Sequence, residues 1–184
     1  MTTLTKPVLY TAEEFLELVD VEGPTELVRG EIVEMPQPKP RHGQVCFKMA
    51  MVLGNHAVEQ YGHVLTNDVC VPTKRNPDTV RGADICFVNY TKVPRGPIAD
   101  GFLPTPPDLV VEVRSPSDRW KDILEKVVEY LNAGVTVVCV LDPTTETGRI
   151  YRSDRDEEQL KNGDLVRFED VLPGFSVPLK QLFE

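Results

Sequence analysis

No apolar run in this sequence approaches the ~18 residues of a membrane span, which argues against a membrane-spanning helix. The opening residues, Met1 to Pro7, lack the basic and apolar regions of a secretion signal, so the expected location is cytoplasmic. Positive charge is also short. The formal net charge is -9, which argues against holding nucleic acid by a broad basic surface. Only two small basic clusters stand out, Lys39, Arg41 and Lys48, then Lys74, Arg75 and Arg81. Paired cysteines are missing too. Cys46, Cys70, Cys86 and Cys139 lie far apart with no CxxC, which speaks against a zinc knuckle. They read as small buried hydrophobes in a reducing compartment. No repeat, low-complexity stretch or second-domain boundary appears, and 184 residues suffice for one domain with a real core.

What is present is a carboxylate in an unexpected place. Asp108-Leu-Val-Val-Glu112-Val-Arg-Ser-Pro-Ser-Asp118 sets Glu112 inside an apolar run, Leu109 to Val113, that reads as a strand buried on both faces. A buried charge is costly unless it is paired or bound to a metal. A companion lies upstream: Asp84 opens the run Ala83-Asp84-Ile-Cys-Phe-Val88.

The rest of the pattern frames these two acids. Thr11-Ala-Glu-Glu14 is a capping box that starts a helix over 12–20, ended by Glu22-Gly-Pro24. Glu26 to Met35 reads as two short strands turning at Arg29-Gly30. After the proline-rich turn Gln37 to Pro40, a second helix is expected over 43–59, with Val45, Met49, Val52 and Leu53 apolar. Short strands follow at 63–66 and 68–71, then a polar loop at 74–81. The segment Pro94 to Pro107 holds five prolines and two glycines and must be irregular. Such a loop is often functional, and the substrate is expected to approach from its side. Leu109 to Val113, a helix over 118–133 capped by Ser117 and ended by Gly134, and the strand Val135 to Leu141 form one βαβ unit at about 109–141 with parallel strands. Further strands are expected at 149–152 and 165–168, the latter after an Asn162-Gly163 turn, with a short helix near 178–183. Trp120 reads as core or interface.

These residues fall in a familiar order. Glu26…Gly30, His42, Arg81-Gly-Ala-Asp84, Pro107-Asp-Leu-Val-Val-Glu-Val-Arg-Ser-Pro-Ser-Asp118, Lys126…Tyr130, Ala133-Gly-Val135 and Val140-Leu-Asp-Pro143 together resemble the large family of restriction-endonuclease-like proteins within the PD-(D/E)XK nuclease superfamily. The resemblance runs from about Tyr10 to Phe183. It implies an α/β (mixed α+β) fold, a restriction-endonuclease-like mixed β-sheet flanked by helices, with the two acids on adjacent strands. Asp84 matches the Asp of the PD half-motif and Glu112 the Glu of the ExK half-motif. Lys126 matches a lysine moved from the strand to the following helix, Glu26 an acid of the early hairpin, and His42 a histidine before the second helix. Ala83 stands where the family usually has proline, and Arg114 where the strand motif has lysine. Arginine stays charged and is no general base at neutral pH, so if catalysis needs a lysine, Lys126 must supply it.

The chemistry so implied is endonucleolytic phosphodiester hydrolysis, with DNA the expected substrate, by a homodimer using Mg²⁺, with Mn²⁺ as substitute. Mg²⁺ takes oxygen ligands and keeps several waters, so Asp84, Glu112 and the Val113 carbonyl would suffice, with Glu26 direct or through water. Lys126 would stabilise developing charge, and His42, Arg81 and Arg114 would meet substrate. The residues alone keep other readings open. Asp84 could cap a turn, Glu112 could pair with Arg114 or Arg81, and His42 could be a solvated or capping side chain. On a helical wheel Lys126 lies roughly 120° from the apolar centre, a surface position. Two other functions compete: an inactive nuclease-fold binding or regulatory module, favoured by the acidic charge and the missing strand lysine, and a metal-dependent hydrolase of a small phosphoester, which needs no basic groove.

Overall fold

A computed structural model describes residues 8–18 and 23–184. The helices are α1 (Ala12–Leu16), α2 (Pro40–Ala57) and α3 (Trp120–Asn132). The strands are β1 (Thr25–Val28), β2 (Glu31–Glu34), β3 (Gly62–Lys74), β4 (Thr79–Asn89), β5 (Leu109–Val113), β6 (Val137–Asp142), β7 (Thr147–Arg152), β8 (Arg155–Leu160), β9 (Leu165–Arg167) and β10 (Ser176–Pro178). The large sheet runs β2-β1-β4-β5-β6-β7-β8, with β3 also paired to β4, while β9 and β10 form a separate ribbon. β5 and β6 are parallel, Leu109 facing Val137 through Val113 facing Leu141, and α3 is their crossover. The other pairings are antiparallel. This is the mixed sheet flanked by helices that the family resemblance implies.

Both faces of the centre are covered, which is why β5 and β6 are buried along their whole length. On one face Val45, Met49 and Leu53, one helical turn apart on α2, pack against Ile85, Phe87, Val111 and Leu141. On the other, Ile123, Val127 and Tyr130 of α3 pack against Cys86, Val110, Val138 and Val140. Val110 and Glu112 share a strand face, so Glu112 looks toward α3.

Local chemistry explains most boundaries. The capping box forms, with the Glu14 N–H donating to Thr11 Oγ1 at 3.2 Å and the Thr11 N–H to Glu14 Oε2 at 2.8 Å. α1 ends at Leu16, shorter than the expected helix: Glu17 is its C-cap, its N–H bonding back to Glu14 and Phe15, and Leu18 is no longer helical; positions 19–22 lie outside the described residues. The β1–β2 hairpin turns at Arg29 (φ 54) and Gly30 (φ 84), both left-handed as a two-residue hairpin requires. α2 begins at Pro40, earlier than the apolar pattern suggests, because proline fits the first turn of a helix. α3 starts at Trp120 with no side-chain cap; Asp118 instead accepts from the Ser115 N–H at 2.8 Å.

Three segments depart from expectation. The two short strands near 63–71 are one long strand, β3, broken in register between Thr66 and Val69, where Asn67 (φ 76) and Asp68 (φ 53) form a bulge. The loop at 74–81 is a short turn, and Val80 and Arg81 already belong to β4. β8 is a strand of exposed, mostly charged residues with one buried apolar end, so it has no alternating pattern to read.

Candidate active site

The strand pairings create the site. β3 occupies one edge of β4 along its length, opposite both Val80 and Ile85. The other edge is shared: β1 meets it at Val80 through Leu27, and β5 meets it at Ile85 through Val111. Between those points, at Arg81 to Asp84, the edge changes partner. Backbone groups left without a ladder there must be satisfied by other means, and two acids do it. Glu26 Oε1 accepts the Gly82 N–H at 3.1 Å, and Asp84 Oδ2 accepts the Val113 N–H at 2.7 Å.

A hollow of about 580 Å³ opens over this fork. Glu26, His42, Asp84, Glu112, Val113 and Lys126 all line it. Glu112 is buried; its Oε1 accepts the Tyr130 hydroxyl at 2.7 Å, and its Oε2 lies 4.0 Å from Lys126 Nζ. Each central acid thus has one oxygen committed to the fold. Among the described residues no hydrogen bond engages Asp84 Oδ1 or Glu112 Oε2. Burial pushes the Glu112 carboxyl up to about 8; the Lys126 charge opposes this and the Asp84 charge adds to it. Lys126 shows the mirror effect. Burial works against its ammonium, but Glu112 and Glu26 hold it above the ordinary lysine range.

Glu26 is fully engaged. Its Oε1 also accepts Lys126 Nζ at 2.6 Å and its Oε2 accepts Arg81 Nη1 at 2.8 Å. His42 Nε2 lies 3.3 Å from Asp84 Oδ2, and its Nδ1 3.5 Å from Cys46 Sγ. Burial disfavours the imidazolium, but the hydrogen bond and charge of Asp84 raise the His42 pKa above the usual value.

Arg81 and Arg114 stand behind the wall and do not line the hollow. Arg81 is buried and held by Glu26 and by Glu129, whose Oε2 accepts its Nε at 2.6 Å. Arg114 donates to Asp142 Oδ2 at 2.9 Å and to the Asp118 carbonyl at 2.8 Å, and its guanidinium lies 5.2 Å from the Trp120 ring centre. Trp120 is half-buried and carries Arg149 at 4.3 Å as well. The arginines therefore brace the fork and the turn after β5; among the described residues no guanidinium lines the hollow. The loop Pro94 to Pro107 is also elsewhere. It feeds the N-terminal end of β5, the acids sit at the other end, and Leu103 to Pro107 line a separate hollow of about 170 Å³ with Cys70, Val71 and Pro72. The hollow that holds the acids is lined instead by residues of α2, α3 and the β3 bulge, and no residue of the loop borders it.

Sequence reasoning passed over Asp68, Tyr130 and Cys46. Asp68 lines the hollow from the β3 bulge, and its pKa is raised by desolvation and by Asp84. Adjacent Asn67-Asp68 inside a strand pattern was the available signal. Tyr130 sits one turn beyond Lys126 on α3, and Cys46 one turn beyond His42 on α2. Cys86 and Cys139 are buried as expected, whereas Cys46 and Cys70 are only partly so.

The donor set fits a hard divalent cation. The lining carries Glu26, Asp68, Asp84, Glu112, Asp118 and Asp122 against a single lysine, an excess of acid that a dication would offset. A residue's N–H and C=O in a strand point to the same edge, so the Val113 carbonyl faces Asp84 along with its N–H. Among the described residues no helix is long and apolar enough to cross a membrane.

The chain matches no curated protein. Among solved structures it is similar to a putative nuclease of the DUF820 group from Anabaena variabilis, at a TM-score of 0.82 and 23% identity over 94% of this chain and 97% of that one. That likeness shows the shared fold. A family model, Uma2, described as "Putative restriction endonuclease", matches residues 12–180. With nearly the whole chain matched and the acid pair set at the strand fork, the protein belongs to the Uma2 family of nuclease-fold proteins.

Proposed function

We propose that the protein is a Mg²⁺-dependent endonuclease that hydrolyses phosphodiester bonds of DNA. The observation that carries this reading is the pair Asp84 and Glu112, both lining the hollow, each with one oxygen tied to the fold and the other without a hydrogen bond among the described residues. Asp84, Glu112 and the Val113 carbonyl would hold the cation. A bound Mg²⁺ supplies there a more acidic water and a counter-charge for the phosphate.

The chain's own residues do the rest. Lys126 keeps its proton at neutral pH, so it offers charge to the phosphate and does not act as a base. Glu26 fixes the ammonium through its 2.6 Å hydrogen bond, and Arg81 fixes Glu26 in turn. Arg81 and Glu26 are thus positioning residues. His42, in the first turn of α2, lines the hollow beside Asp84 and would meet the substrate strand there.

One observation favours a second reading, hydrolysis of a small phosphoester. The hollow has six acids, one lysine and no arginine in its lining, and a long duplex would find few phosphate contacts there.

The test is incubation of supercoiled DNA, linear DNA and a small chromogenic phosphodiester with the protein in Mg²⁺ and in Mn²⁺, beside Asp84→Ala and Glu112→Ala. DNA cutting lost in both variants supports the endonuclease. Turnover of the small ester alone moves the function to the second reading. No turnover of any substrate, in a protein whose stability ignores the cation, rejects both.

A further inference from the structure

The fork holds a second set of donors that the oxygen-only chemistry does not use. His42 and Cys46 lie one turn apart on α2, so their side chains share a face. His42 Nε2 is 3.3 Å from Asp84 Oδ2, and His42 Nδ1 is 3.5 Å from Cys46 Sγ. One nitrogen, one sulfur and one carboxylate oxygen from these three residues lie within 4.8 Å of one another.

We infer that His42, Cys46 and Asp84 form a distinct position for a borderline transition-metal dication, Zn²⁺ in the first instance. Zinc sites take Zn–S bonds of about 2.3 Å and Zn–N and Zn–O bonds of about 2.0–2.2 Å in tetrahedral array. That geometry sets donors roughly 3.3–3.7 Å apart. One ion takes one ring nitrogen: Nε2 is at this spacing from Asp84 and Nδ1 from Cys46, and since one donor atom per residue already falls within 4.8 Å of the others, closing the set takes side-chain movement on the order of 1 Å. Three protein donors leave the fourth place to water from the hollow, as in an open zinc site.

Ligand type separates this position from the Mg²⁺ one. Thiolate and imidazole favour zinc or cobalt, while carboxylate and carbonyl oxygens favour magnesium. Asp84 belongs to both positions through different oxygens. Its Oδ2 faces His42, while no hydrogen bond among the described residues engages its Oδ1. Binding exchanges the Cys46 thiol proton for the metal, so zinc uptake releases a proton. The inference does not need the nuclease reading. A protein that cuts no substrate can still bind here, and cutting in Mg²⁺ can proceed with the position empty.

The test is titration of the full chain with Co²⁺ in the absence of other metals, followed by absorption. One equivalent should produce a thiolate-to-cobalt charge-transfer band in the near ultraviolet with d–d bands in the visible. Zn²⁺ added afterwards should bleach both. Cys46→Ser should lose the charge-transfer band, and His42→Ala should lose both features at equimolar metal. Glu112→Gln and Cys70→Ser should keep them, which separates this position from the Mg²⁺ pair and from the other half-buried thiol. No charge-transfer band in the parent, or a band that survives Cys46→Ser, overturns the inference. Circular dichroism of each variant confirms that the fold is intact before its spectrum is read.

Discussion

The Tyr130 hydroxyl donates to Glu112 Oε1 at 2.7 Å, with both side chains buried between α3 and the sheet. The bond commits Glu112 Oε1 to the fold and leaves Oε2 beside Lys126 Nζ at 4.0 Å. Tyr130→Phe deletes the donor and leaves a buried acceptor unpaired, which costs about 1–3 kcal/mol. Denaturant unfolding should show that loss. The rise in melting temperature with Mg²⁺ should shrink as well, because Glu112 is no longer oriented.

Among the described residues, Lys126 is the one lysine in the lining of the acid-rich hollow, and no arginine joins it there. Lys126→Met keeps the aliphatic stem and removes the charge. Any DNA cleavage should fall by about 10²-fold or more, the scale for losing a charge that stabilises a transition state. Steady-state rates on one substrate check this. Lys126→Arg should recover part of the rate, since its pairing with Glu26 can be kept.

Stability should depend on pH in a stated direction. The folded state raises the Glu112 carboxyl from 4.5 to about 8, so the folded protein binds its proton more tightly than the unfolded chain does. That contribution is complete below about 4.5 and is lost as pH rises through about 8. His42 and Asp68, also raised, act in the same sense. Without divalent metal, the melting temperature should therefore fall between about pH 5 and 8 in this part of the balance. Saturating Mg²⁺ should flatten or reverse the slope, because it favours the ionised acids. Glu112→Gln should reduce the slope in metal-free buffer.

Arg114 should matter for the fold more than for the metal. It closes the buried Asp142 carboxylate and the Asp118 carbonyl. Arg114→Ala leaves Asp142 short of its charge partner, a loss of about 3 kcal/mol for a buried pair. Trp120 is the single tryptophan and lies beneath that guanidinium, so its fluorescence should shift in the variant. Metal-induced stabilisation should persist.

Much of this was legible in the sequence because burial leaves a pattern. An acid inside Leu109 to Val113 could only be a paired or ligating group, and Glu112 is buried with a hydroxyl and a lysine beside it. The βαβ unit was equally plain, since two unbroken apolar runs around an amphipathic helix have few other solutions. Lys126 was hidden. Periodicity measures direction from the helix axis, and it set this residue on the surface. The side chain is only 12% exposed, because a long stem crosses the flank of α3 to Glu26, and Glu26 comes from a hairpin 100 residues away. Arg81 and Arg114 were open to a substrate role for a related reason. A charge beside an acidic motif looks free until the distant partners, Glu129 and Asp142, are in place. The β3 bulge that carries Asp68 depends on the pairing of two strands, so alternation alone read it as a gap.

β8 leaves one further consequence. It ends the large sheet at an edge carrying Arg155, Asp156, Glu157, Glu158 and Gln159, all exposed. An open edge is a template on which another chain's strand can grow, toward aggregation or amyloid. Here a strand from a second copy would have to lay the same acids against or near these, and like charges brought together repel. A segment with no apolar stripe to announce it thus acts as a gatekeeper, and neutralising Glu157 and Glu158 should cost the protein its solubility before its fold.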